Sequence, residues 1–204
     1  MEANESLPGR REKRKQAIRR RIEDAAYELF KASGIDGVSI EQICQRADVA
    51  RRTFYGHYPN KQALLQAISW RRVWFTAGDL MERVEAAADD TPGRVAAMLA
   101  VMESNLAAYS EIDRALILVA PGSLEDDNHL REVSDSLRDY VMTLVAQGQQ
   151  TGDTNTAFSA ELLATTVVGT TNTLIVHWAV NPDYPIGKRL EEAGRLFESM
   201  LRPR

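Results

Sequence analysis

The sequence predicts an all-α protein: an N-terminal three-helix bundle containing a helix-turn-helix, followed by a larger helical C-terminal domain. Three observations carry this. Apolar residues recur at steps of three and four along most of the chain, and sustained strand-like alternation occurs nowhere. Helix-start and helix-stop residues punctuate the chain at short intervals. The 204 residues are 44% hydrophobic and 26% charged, ordinary globular values that exclude a disordered chain, a collagen-like chain and a disulfide scaffold.

The first helix carries Ile18, Ile22, Ala25, Ala26, Leu29 and Phe30 on one face and stops near Gly34. Ser39 with Gln42 three residues later is a capping box, so a second helix starts there, with Ile40, Ile43, Cys44 and Ala47 inward. Asp48-Val49-Ala50 breaks it, and a third helix is expected over 50–58. Pro59 stops that helix and Asn60 caps the next. A long helix is expected from Lys61 to about Ala88. Its two apolar stripes suggest packing against two bodies, so that it joins the two parts of the molecule.

Thr91 is the expected N-cap of the next helix, with Pro92 at its first position and Val95, Met98, Leu99, Met102, Leu106 and Tyr109 as its face. A less regular apolar piece covers 112–119. The stripe Leu130, Val133, Leu137, Tyr140, Val141, Leu144 predicts a helix to about Ala146, then a polar loop over 148–155. A very apolar helix is expected over 156–180, and a last one carries Leu190, Ala193, Phe197 and Leu201. The total is about nine helices.

Charge is divided unevenly. Residues 1–61 hold 13 Lys/Arg against 9 Asp/Glu, a balance of +4; residues 62–204 hold the other 12 and 20, a balance of −8. The basic end suits a polyanion. Two short helices joined by a tight turn and backed by a longer helix form a helix-turn-helix, whose second helix enters the DNA major groove. Its residues fit that task. Arg51 and Arg52 can bind guanine edges or phosphates, and Thr53 brings a hydroxyl and a methyl. Tyr55, His57 and Tyr58 carry polar tips on aromatic bodies. Lys61 opens the following helix, and Phe54 faces inward as the anchor.

The run Val38-Ser39-Ile40, Ile43, Ala47, Val49, then Arg51-Arg52-Thr53-Phe54-Tyr55-Gly56-His57-Tyr58-Pro59-Asn60-Lys61 and Leu64-Leu65 closely resembles the N-terminal domain of TetR-family transcriptional regulators. The resemblance covers about 18–65. It implies a homodimeric repressor that binds a palindromic double-stranded DNA operator and is released by a small-molecule effector. By position, Ser39 and Gln42 should touch phosphate. Arg51, Arg52, Thr53, Tyr55 and His57 should face the groove or its rims, and Tyr58 and Lys61 should hold backbone phosphates. Two departures stand out. Many members have Gly where this chain has Asp48, a residue that tolerates a left-handed turn. Many have Ser where this chain has Ala50, and losing that N-cap costs about 1 kcal/mol. Gly56 leaves a bare spot in the expected recognition helix.

The domains read as a basic flexible tail over 1–12, a helix-turn-helix domain over 13–61, and an effector-binding and dimerisation domain over 62–204. The tail cations Arg10, Arg11, Lys13, Arg14 and Lys15 could thread the minor groove or only solubilise the end. From the resemblance, the last two helices pair with their mates, giving Ala164, Val168, Gly169, Asn172, Leu190, Phe197 and Leu201 as the expected dimer interface. An effector pocket is expected among Trp74, Met98, Met102, Tyr109, Tyr140, Leu144, Thr170 and His177.

No catalytic or metal constellation is visible. His57, His129 and His177 are dispersed, Cys44 is single, and no HExxH, CxxC, GxSxG, GxGxxG or phosphate-loop pattern occurs. The expectation is no enzyme, no cofactor, no metal and no membrane partner. The stretch 162–180 is interrupted by five threonines, Asn172 and His177, a poor span where about 20 apolar residues are wanted. A single cysteine and no signal-peptide layout suggest a cytoplasmic, nucleoid-associated bacterial protein. A second class of function shares the same head: a DNA-bound interaction protein that needs no small-molecule pocket.

Overall fold

The computed structural model describes residues 10–69, 71–72, 77–119 and 128–203. The described residues form ten helices and no strand, in two compact units, 1–68 and 69–204.

In the first unit, α1 (Arg10–Ser33) buries Ile22, Ala25, Ala26, Tyr27 and Phe30 and ends on Gly34 at φ 72, a left-handed stop that glycine takes without strain. Most of the tail expected over 1–12 lies outside the described residues, but residues 10–12 are the first turn of α1. Next come α2 (Ile40–Arg46), α3 (Arg51–Tyr55) and α4 (Lys61–Ser69). Ile43, Phe54, Leu64 and Ile68 are fully buried, as are Ile22, Ala26 and Phe30 of α1. Each large apolar side chain so buried contributes about 1.5–3 kcal/mol. Asn60 caps α4 through its Oδ1, which accepts from the Ala63 N–H at 2.8 Å.

The second unit holds α5 (Ala77–Ala87), α6 (Thr91–Ala107), α7 (Glu111–Leu118), α8 (Asn128–Thr151), α9 (Ala160–Val180) and α10 (Ile186–Leu201). The main packings are α8 on α9, α10 on α6 and α9, α5 on α6, and α7 on α9. Leu99, Val145, Val167, Leu190 and Phe197 lie in their shared core.

The ends of the stretch expected as one helix over 61–88 are α4 and α5; residues 70 and 73–76 between them lie outside the described residues. Three other features of the second unit differ from expectation. Asp90, not Thr91, caps α6, accepting from the Gly93 N–H at 2.8 Å. Ser110 and Asp113 form a capping box that turns the irregular piece at 112–119 into a true helix. Finally, α8 runs through Gly148 instead of ending near Ala146.

Gly148 has a packing reason. A Cβ there would collide with the side-chain oxygens of Thr91, Asp153 and Thr154. Those oxygens belong to a polar knot: Thr154 Oγ1 donates to Asp153 Oδ1 at 2.7 Å, and the Thr91 N–H donates to Asp153 Oδ2 at 3.2 Å. Only a residue without a side chain lets the end of α8 approach the start of α6 so closely.

Candidate nucleic-acid interface

The helix-turn-helix is fixed at its start and at its turn. At its start, Ser39 Oγ accepts from the Gln42 N–H at 3.2 Å while Gln42 Oε1 accepts from the Ser39 N–H at 2.7 Å. The capping box is therefore made as expected, with both residues exposed. At the turn, Asp48 takes φ 51, the left-handed conformation that glycine adopts most readily. Arg21 of α1 holds this turn, donating to the Ala47 carbonyl at 2.5 Å and the Asp48 carbonyl at 2.8 Å. Its guanidinium also pairs with the Asp48 carboxylate at 3.5 Å. A lone arginine in a basic run gives no sequence signal for that role.

Ala50 starts α3 with no side-chain cap, as its methyl requires. The helix is short: Gly56, expected inside it, is its C-cap, and His57 follows in the turn. Phe54 is fully buried and anchors it. Arg51, Arg52 and Tyr55 are exposed and Thr53 is half-exposed. Arg51 pairs with Glu41 at 2.8 Å and lies over the Tyr55 ring at 6.0 Å. Its hydrogen bond to Tyr55 and the Glu41 charge hold its guanidinium pKa above the ordinary value.

Two residues do not sit as a phosphate clamp requires. Tyr58 is 2% exposed, and its hydroxyl donates to Glu23 Oε1 at 2.5 Å and accepts from Arg19 Nε at 3.4 Å. Its phenol is spent inside the unit, where burial and the Glu23 carboxylate raise its pKa. Lys61 donates through Nζ to the carbonyls of Ile35 and, at 2.6 Å, Val38, and it lies over the Phe30 ring at 5.5 Å. It ties down the loop between α1 and α2. In both cases the polar tip meets a partner that the local periodicity does not reveal. His57 is half-buried, with Nδ1 enclosed and no partner for it among the described residues. Burial, then the charges of Arg19 and Lys15, lower its pKa.

Residues 22–68 match the model of the bacterial regulatory proteins of the tetR family. The chain carries a tetR-family DNA-binding domain over these residues. It is a transcriptional regulator with a DNA-binding helix-turn-helix, and not an enzyme. It is 24% identical over 186 residues, 86% of this chain and 85% of the relative, to a Mycobacterium tuberculosis protein named for transcriptional regulation of mycofactocin biosynthesis, MftR. It is 42% identical to the regulator SrpR of Pseudomonas putida over 50 residues, 24% of each chain. Its fold is similar to that of Thermus thermophilus FadR, a tetR-family repressor solved with lauroyl-CoA, with TM-score 0.67, 24% identity, and coverage of 88% of this chain and 92% of that one.

The second unit redistributes the expected pocket and dimer residues. Met98 and Leu144 are buried in its core, with Met102, Tyr109 and Tyr140 partly buried against it. Tyr109 packs on Trp178 at 6.4 Å. Thr170 is half-buried, and Trp74 lies outside the described residues. His177 departs from the pocket expectation: it is exposed, its ring edge-on to Tyr184 at 5.7 Å.

The expected dimer interface needs a larger correction. Ala164, Val168, Leu190, Phe197 and Leu201 are all buried within the single chain, leaving little surface there for a second copy. Gly169 is exposed with open space around it, and Asn172 is half-buried. The exposed face of α9 instead carries Leu162, Thr165, Gly169, Thr173, Val176 and Val180, at steps of three and four. Leu196 of α10 is also exposed. α9 is apolar nearly all round, so periodicity cannot say which side is core. No helix among the described residues is long and apolar enough to cross a membrane.

Proposed function

We propose that this regulator is a ligand-responsive repressor that binds a palindromic operator as a homodimer and is released by a small-molecule effector. One observation carries the DNA side of the reading: Arg52, Thr53 and Tyr55 face outward on a helix held from behind by Phe54. Arg51 joins them when Glu41 lets go, and Ser39 and Gln42 offer exposed polar groups at the start of α2. We assign DNA binding to 13–61, and effector binding and dimerisation to 62–204. The exposed apolar stripe of α9 with Leu196 is the surface that suits a second copy. Such a protein works on the bacterial nucleoid.

The release mechanism is a population shift. An effector that prefers a state with mis-spaced heads weakens operator binding by its differential affinity and no more. The lauroyl-CoA found with the FadR relative supports an effector with a long apolar part. Selection from a pool of random duplexes tests the reading. The expected product is an inverted repeat with half-site centres one turn apart, about 34–36 Å. An asymmetric site, or no enrichment, would sink the two-headed repressor. Light scattering should give a dimer, and Val176→Asp with Leu196→Asp should give a monomer.

A further inference from the structure

We propose that the first three turns of α1 form a cationic ridge that grips the phosphates of double-stranded DNA beside the recognition helix. This rests on the DNA-binding reading above and adds a second surface to it. Residues 10–21 hold eight cations and one acid, Glu12. They are helical, not a loose arm, and every residue from Arg10 to Ala17 is exposed. Among the described residues, no ion pair joins Arg10, Arg11, Lys13, Arg14 or Lys15 to a carboxylate.

This placement opposes folding. Arg10 with Arg14, and Arg11 with Lys15, are like charges four apart on one helix face. Cations at a helix start also oppose the macrodipole. Of the apolar side chains on these turns only Ile18 is even half-buried in return, so a polyanion is the partner that relieves the repulsion. The ridge is tied to the reading head on both sides of α3. Arg21 holds the turn at Ala47 and Asp48, and Arg19 lies over the Tyr58 ring at 5.5 Å, just past α3. The His57 ring lies 6.4 Å from that of Tyr58, so Arg19 puts this side of α1 beside the C-terminal end of α3.

From Arg10 to Arg21 the helix runs about 17 Å, a length of duplex axis that carries on the order of ten phosphate charges. The exposed turns lack an apolar face, so a membrane surface is a poor match. They present no planar stacking platform of the kind single strands use.

The test uses the full chain with Arg10, Arg11, Lys13, Arg14 and Lys15 all changed to Gln, which keeps helix propensity. Anisotropy titrations against a random-sequence duplex are repeated across salt concentrations. The slope of log affinity against log salt should flatten by about 0.9 for each phosphate that is no longer neutralised, and by roughly 2 or more per head. Preference for the selected operator over random duplex should stay unchanged. Lys15→Glu alone should shift the slope in the same direction, and far-UV circular dichroism checks that both variants fold. An unchanged slope, with Arg52→Ala still weakening operator binding, overturns the ridge and leaves the DNA reading standing. A wild-type chain that ignores duplex DNA overturns both. Stronger competition from a hairpin RNA of equal length makes the surface an RNA-binding one and overturns this proposal.

Discussion

Glu41 of α2 and Arg51 of α3 hold each other at 2.8 Å across the helix-turn-helix, both more than half exposed. An ion pair so open to water contributes little to stability. It does keep Arg51 folded over Tyr55, and it places a negative charge on the surface proposed above to meet DNA. Glu41→Gln should therefore tighten binding to duplex DNA several-fold at low salt while leaving the melting temperature unchanged. Unaltered affinity in a gel-shift titration would show that the pair does not restrain Arg51.

Arg52 has no such partner among the described residues and is exposed on α3. Arg52→Ala should weaken binding to the selected operator by about 1–3 kcal/mol and relax preference at one base position. Equal losses on operator and random duplex would reassign Arg52 to phosphate.

Tyr58 and Lys61 act inside the first unit. Tyr58→Phe leaves the Glu23 carboxylate short of one donor, at a cost of about 1–3 kcal/mol. Lys61→Ala removes a charged donor from two carbonyls, at a cost of about 1.5–3 kcal/mol. Urea unfolding should register both losses, while the salt dependence of DNA binding by the folded protein stays near wild type. A flattened salt slope at full stability would restore the phosphate role.

The knot at Asp153 predicts a pH dependence. Burial pushes its carboxyl up, but donors from Thr154 and Thr91 outweigh that and leave its pKa below the ordinary value. A carboxyl lowered by folding stabilises the folded chain above its unfolded value of about 3.9, and that stability drains away as pH falls through the folded value. The second unit should weaken steadily below about pH 4. Asp153→Asn should be less stable at neutral pH and show a shallower acid decline. Parallel acid curves for the two proteins would remove Asp153 from the account.

Local signals are readable wherever residue type dictates backbone geometry. The Ser39–Gln42 box, the Gly34 stop, the Asn60 cap and the tolerance of Asp48 for a left-handed turn all follow from short-range chemistry. What escapes is anything decided by a distant partner. Tyr58 and Lys61 carry tips suited to phosphate, yet Glu23 and the carbonyls of Ile35 and Val38 claim them from 23 to 35 residues away. On α10, the stripe Leu190, Ala193, Phe197, Leu201 is sound as a pattern, but it points into its own chain. A pattern says that a face is covered, and not by whom.

The recognition helix has five residues and begins at an alanine that cannot cap it. A segment that short gains little from its own ladder of hydrogen bonds. It stands because Phe54 pins it from beneath, with Tyr58 fastened just beyond its end. The outward positions are therefore relieved of any duty in keeping the head folded. Substitutions at Arg52, Thr53 and Tyr55 can change the outward face of the head while the bolt beneath them is left alone.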